Sequence, residues 1–191
     1  MPRFSRRHFL ALSLAAAGAA CARTQASPEV LRGLQDGGHV IYFRHAATAW
    51  KGKDLQSWPR EEQRPLSEDG IAQSRRIGAR FAALGVPVDE VRASPFYRCT
   101  DMGEIAFGSA TRDDGLLSPT NPSTSPRRSL GYLAERLSTP RDGQGNLVLI
   151  AHTTNLQLLE GMSLAEGEAA VFRPMGGGEY AFLGRVLPDD W

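Results

Sequence analysis

Two short apolar runs end alike: Val40–Phe43 leads into Arg44 and His45, and Leu147–Ile150 leads into Ala151 and His152. Four unbroken apolar residues between polar flanks predict a strand buried on both faces. Helical patterns lie between and around them. Ser67, followed by Glu68, Asp69 and the apolar positions Ile71, Ile77, Phe81 and Leu84, predicts a capped amphipathic helix that stops at Gly85. Residues 95–108 predict a second helix ending at Gly108, and 130–137 a short third. Ser27, Pro28 and Gly37 or Gly38 bracket another short helix. Residues 88–94 predict a short strand, and 46–66 and 109–129 predict long polar loops. The stretch from Glu168 to Leu187 predicts two strands around a glycine turn. Strands alternating with helices imply an α/β fold with a mostly parallel sheet, whose ligands bind beyond the carboxyl ends of the strands. There is no internal repeat.

Composition bounds the organisation. The 191 residues are 41% hydrophobic and 23% charged, which suits one domain with a core and is short for two. Arg3, Arg6 and Arg7 precede an apolar run from Phe9 to about Cys21, and no acidic residue occurs before Glu29. Such a run is too short to span a bilayer and predicts an export signal. Arg6-Arg7 with Phe9-Leu10 resembles a twin-arginine signal, which implies a bacterial protein exported in the folded state. Cleavage is expected before Cys21, with lipidation, or after Ala22; Gly18-Ala19-Ala20-Cys21 lacks the usual leucine of a lipobox, which favours the second. The expected division is an export signal at 1–22, a linker and short helix at 23–36, and a functional domain at 37–191. The expected location is the periplasm or cell envelope, with membrane attachment only through a lipidated Cys21. Without the signal's three arginines, 19 basic residues face 21 acidic ones, so no nucleic-acid footprint is present. Cys99 is then a lone thiol, expected to pack within its helix rather than to form a disulfide or act as nucleophile.

The two matching strand ends carry the candidate chemistry. If the strands are parallel neighbours, His45 and His152 emerge at one sheet edge together with Arg44. A cation at a buried strand end calls for an anion. A single histidine is ordinarily a satisfied core or surface residue, but two at one offset after two core strands are harder to read that way. Zinc is the competing ligand. Only His39 remains nearby as a third donor, beyond a strand boundary, and no carboxylate sits at ligand spacing, so no metal is expected.

Four motifs in order carry a family resemblance over most of residues 37–191. "RHAAT" resembles the Arg-His-Gly-x-Thr signature of the histidine phosphatase superfamily, the phosphoglycerate-mutase-like fold. "RPLSEDGIAQSRRIG" resembles its Leu-Ser-x-x-Gly-x-x-Gln helix start, "ASPFYRCTDMGEIAFG" its Ser-Pro-x-x-Arg motif, and "LIAHTTNL" its second-histidine motif. The resemblance implies a three-layer α/β/α sandwich, here with a mostly parallel sheet and an antiparallel edge hairpin at the C-terminus. It implies a phosphatase that acts on a small phosphorylated substrate without cofactor. His45 would be the nucleophile and form a phosphohistidine. Arg44 and Arg98 would clamp phosphoryl oxygens, and His152 would stabilise transition-state charge. Thr48 and Lys51 would contact phosphate, Lys51 replacing the family's frequent asparagine. Outside the motifs, Arg75 and Arg76 read as surface residues, and Ser94 reads as a turn and cap before its helix.

Two further departures are notable. Ala46 replaces the signature glycine. The glutamate that protonates the leaving group in many members has no clear equivalent; Asp113 and Asp114 lie in the corresponding loop, and Glu104 is expected to be structural. Within the fold, a phosphoglycerate mutase is the weaker alternative, being longer and ill-suited to export. From a different class, a non-catalytic binder of phosphate or an envelope phosphosugar is the competing reading. The loops at 49–64 and 109–129 carry no code for the substrate, Trp50 and Trp58 could stack on a ligand or cover the core, and oligomeric state is left open.

Overall fold

The structure is a computed structural model that describes residues 27–143 and 145–191. The export-signal expectation therefore falls outside the described residues. Six strands form one sheet in the order β3-β2-β4-β1-β5-β6. They are β1 (Val40–Arg44), β2 (Val88–Ala93), β3 (Thr111–Arg112), β4 (Asn146–Ala151), β5 (Ala169–Gly176) and β6 (Glu179–Val186). The first four in space are parallel; β5 and β6 run antiparallel and form the edge hairpin. The helices are α1 (Pro28–Asp36), α2 (Glu68–Leu84), α3 (Tyr97–Phe107), α4 (Pro126–Ser138) and α5 (Thr153–Glu160).

Alternation along the strands builds two cores. Ile41 and Phe43 of β1, with Val148 and Ile150 of β4, pack against Leu34, Ile77, Phe81, Cys99 and Met102 of α1, α2 and α3. Val40 and Tyr42, with Leu147 and Leu149, pack against Leu133, Leu137 and Leu156 of α4 and α5. A helix layer thus covers each face, which gives the α/β/α sandwich that the resemblance implies.

The caps explain several boundaries. Ser27, Ser67 and Ser125 each accept a first-turn N–H, and Pro28 and Pro126 sit at helix starts. Gly85, Gly108 and Gly161 end helices in the left-handed region. Three expectations are corrected. The third helix begins at Pro126, not residue 130, because Ser125-Pro126 is a start signal embedded in a loop-like composition. α5 was not expected at all; its eight residues are short for a periodic signal, though Gly161 marks its end. Ser94 is not the cap of α3: Phe96 holds that position, and the Ser94 hydroxyl turns inward.

One contact positions the site from afar. Ala47, just past the first histidine, donates its N–H to Gln73 Oε1 at 3.0 Å, and its carbonyl accepts from the Ser67 N–H at 3.0 Å. A Cβ on Gly70 would lie 2.0 Å from that carbonyl oxygen. The glycine and glutamine of the α2 motif therefore exist to let the helix start grip the loop after His45.

Candidate active site

Register brings the two histidines together. β1 and β4 pair in parallel with Arg44 opposite Ala151, and the His45 N–H donates to the Ala151 carbonyl at 3.0 Å. The residue after each strand is thus a histidine at the same level. Their ring centroids are 5.7 Å apart at 69°, and both side chains are buried.

The His45 Nδ1 lies 2.9 Å from the Ala46 carbonyl, which can only accept. The proton of the neutral ring is thereby assigned to Nδ1, leaving the Nε2 lone pair free. Nε2 has no hydrogen bond among the described residues and is not sealed from the cavity that His45 lines. Burial, then the neighbouring His152 and Arg98, hold the His45 pKa well below the ordinary 6.5. Burial, then Arg98, Arg64 and Arg44, do the same for His152. Both rings are neutral at pH 7.

The cavity above them, about 620 Å³, is walled by residues 52–55, Arg64 and Arg98 on one side and by Ser118, Thr120, Asn121 and Thr154 on the other. Most of these residues belong to the two long loops; Arg98 comes from α3 and Thr154 from α5. Gln63 organises the first, donating to the carbonyls of Gln56 and Trp58 at 2.9 and 2.8 Å. In the second, Ser118 shares hydrogen bonds of 2.8 Å with Thr120 and Thr154.

Three arginines converge here. Arg98 rises from α3, stacks over Phe96 at 4.1 Å, and donates from Nη1 to Asp54 Oδ2 at 2.8 Å. The same carboxylate oxygen accepts the Arg64 backbone N–H at 2.9 Å, so Asp54 ties the first loop to α3. Arg44 donates to the Leu164 carbonyl at 2.8 Å and lies 3.6 Å from Glu166. Burial and the charge of Arg98 lower even the Arg64 pKa. Arg44, Arg64 and Arg98 each keep a buried Nε–H without an acceptor among the described residues. These Nε–H groups are sealed from the cavity, but the three residues all line it, and like charges crowded on one wall are suited to an oxyanion.

The structure thus brings together Arg44, His45, Arg98 and His152. Thr48 and Lys51 go elsewhere. Neither lines the cavity. Thr48 donates to Glu166 at 3.1 Å and Lys51 to the same carboxylate at 2.5 Å. Lys51, expected at phosphate, here pairs with a carboxylate from the loop before β5. Asp113 caps a short turn and binds Arg92 and Tyr132, away from the cavity. Asp114 and Glu104 do not line it either, nor do Trp50 and Trp58. His39 lies before β1, at the strand end remote from His45, bonded to the Gly37 carbonyl at 2.8 Å. Cys99 is buried, with its thiol pushed up to about 12, and packs as expected.

Sequence reasoning missed Asp54, Arg64, Ser94 and Glu166. Arg64 stands immediately before the Pro-Leu-Ser of the α2 motif, which was the one signal available for it.

Residues 40–114 match the family model described as histidine phosphatase superfamily (branch 1). No curated protein sequence matches the chain. Among solved structures, the protein histidine phosphatase SixA complexed with tungstate is 19% identical with a TM-score of 0.60, covering 80% of this chain and 98% of its own. A phosphoserine phosphatase mutant from Entamoeba histolytica, bound to phosphoserine, is 14% identical with a TM-score of 0.55, covering 80% and 98%. At these identities the two establish the fold.

Proposed function

We propose that this chain, a member of the histidine phosphatase superfamily, hydrolyses a small phosphomonoester or phosphoramidate through a phosphohistidine on His45. One observation carries the reading: a buried, neutral imidazole with its Nε2 free lines the same cavity as three arginines. A mere anion site has no use for a nucleophile with a fixed tautomer.

The chemistry runs in two displacements. The Nε2 lone pair forms a bond to phosphorus while the bond to the leaving oxygen or nitrogen breaks, its electron pair going to that atom. Water then attacks phosphorus, and the N–P electron pair returns to Nε2. The proton lost by the water balances the one gained by the leaving group over the cycle. Arg44, Arg64 and Arg98 hold the equatorial oxygens, where charge is spread in the transition state. His152 donates to them from the facing side.

Asp54 is the one carboxylate on the described cavity wall, and it is engaged by Arg98. The site therefore favours a leaving group that needs no acid from the protein, such as a phosphoramidate nitrogen that carries its own proton or an activated alcohol. SixA, by its description a protein histidine phosphatase, supports that class. The reaction is proposed to be metal-independent, because the three arginines that line the cavity repel a divalent cation. We also propose that the protein acts in the periplasm or cell envelope, on the strength of the basic-apolar start of its sequence.

The test is hydrolysis of an activated aryl phosphate and of phosphoramidate with and without EDTA. Turnover unaffected by the chelator supports the reading. Turnover lost to EDTA and restored by a metal contradicts it.

A further inference from the structure

We infer that Ser94 is a positioning residue: its hydroxyl holds His152 as the Nδ1–H tautomer, aiming that N–H at the transferring phosphoryl group. The inference rests on the phosphatase reading for its consequence, but the tautomer can be measured without it.

Ser94 follows β2 directly, and its N–H donates to the Ile150 carbonyl at 2.9 Å. That contact sets it level with the ends of β4 and β1. Its Oγ lies 2.9 Å from His152 Nε2, and both residues are buried. The direction of this bond decides the tautomer, and the surroundings decide the direction. The Ser94 hydroxyl has no carbonyl or carboxylate acceptor among the described residues. Its other polar neighbour is the Cys99 thiol, which gives its own proton to the Ala151 carbonyl at 3.9 Å and whose sulfur is a far weaker acceptor than an imidazole nitrogen. A buried hydroxyl gives its proton to the strongest acceptor in reach, so Ser94 donates to the lone pair on Nε2. The ring proton of His152 then resides on Nδ1.

The ring has little freedom to escape this. The Tyr42 hydroxyl donates to the His152 carbonyl at 2.7 Å, fixing the backbone. Phe96 meets the ring edge-on at 5.2 Å, and His45 faces it from the other direction. His152 Nδ1 makes no hydrogen bond among the described residues and is not sealed from the cavity that His152 lines. An N–H there is a preorganised donor for charge developing on phosphorus-bound oxygen. A lone pair there would repel the same oxygen. In this account Ser94 is to His152 what the Ala46 carbonyl is to His45: each fixes one nitrogen so that the other does the work. One histidine presents a lone pair and the other presents a proton.

The experiment is long-range ¹H–¹⁵N NMR of the imidazoles in the wild-type protein and in Ser94→Ala, together with aryl phosphate kinetics. The wild type is expected to show His152 with Nδ1 protonated and Nε2 bare. Ser94→Ala is expected to populate the Nε2–H form and lower kcat about tenfold or more with little change in KM, as for loss of an orienting outer partner. A wild-type spectrum with Nε2 protonated overturns the inference whether or not the variant folds. So does a folded Ser94→Ala that keeps only the Nδ1–H form and full kcat. If the wild type has no turnover, the phosphatase reading fails while the spectrum still decides the tautomer.

Discussion

Replacing His45 by alanine should lower turnover of an activated aryl phosphate by at least ~10⁴-fold, the scale seen when a covalent nucleophile is removed. Inorganic oxyanion binding should persist. Arg44, Arg64 and Arg98 reach the cavity from three different elements, and none depends on the imidazole for its contacts. The comparison of turnover with phosphate affinity, by calorimetry on the same variant, separates a nucleophile from one ligand among several. His45→Asn, which retains a polar group of similar volume, guards against a folding artefact. Equal loss of binding and turnover would assign His45 to binding alone.

Arg98→Ala should have the second largest effect, on two axes at once. The Arg98 and Asp54 side chains are 5% and 4% exposed. Removing one member of such a pair leaves a buried charge uncompensated, which typically costs about 3–5 kcal/mol of stability. Turnover should also fall by ~10²–10³, as for loss of one preorganised charge donor. The double variant Arg98→Met with Asp54→Asn separates the two. It removes the orphaned carboxylate and should recover most of the urea midpoint while leaving turnover low. Recovery of both would mean that Arg98 acts only by holding the loop at 52–64.

What could be read from the sequence follows the range of each interaction. The buried strands, the serine caps and the glycine stops are encoded within a few residues of where they act, and they lie close to where the pattern places them. The same holds for the core of the site. His45 and His152 each follow an apolar run at the same offset, so parallel pairing was enough to join them. The missed residues depend on contacts between distant parts of the chain. Glu166 captures Thr48 and Lys51 across more than a hundred residues, and nothing near Lys51 announces that partner. Asp54 and Arg64 lie in a polar loop whose conformation depends on Gln63 and on Arg98. Ser94 was misread because Ser-Pro before a helix usually caps; here the level of β2 against β4 turns its hydroxyl toward His152 instead.

The chemistry of the first step is the central claim, and a phosphoenzyme trap tests it most directly. The protein is mixed briefly with aryl phosphate, quenched in alkali, and mapped by mass spectrometry. The account predicts phosphate on His45 that survives alkali and is lost in acid, as an N–P bond is. Turnover at full rate with no such adduct, or with the phosphate on another residue, would contradict it.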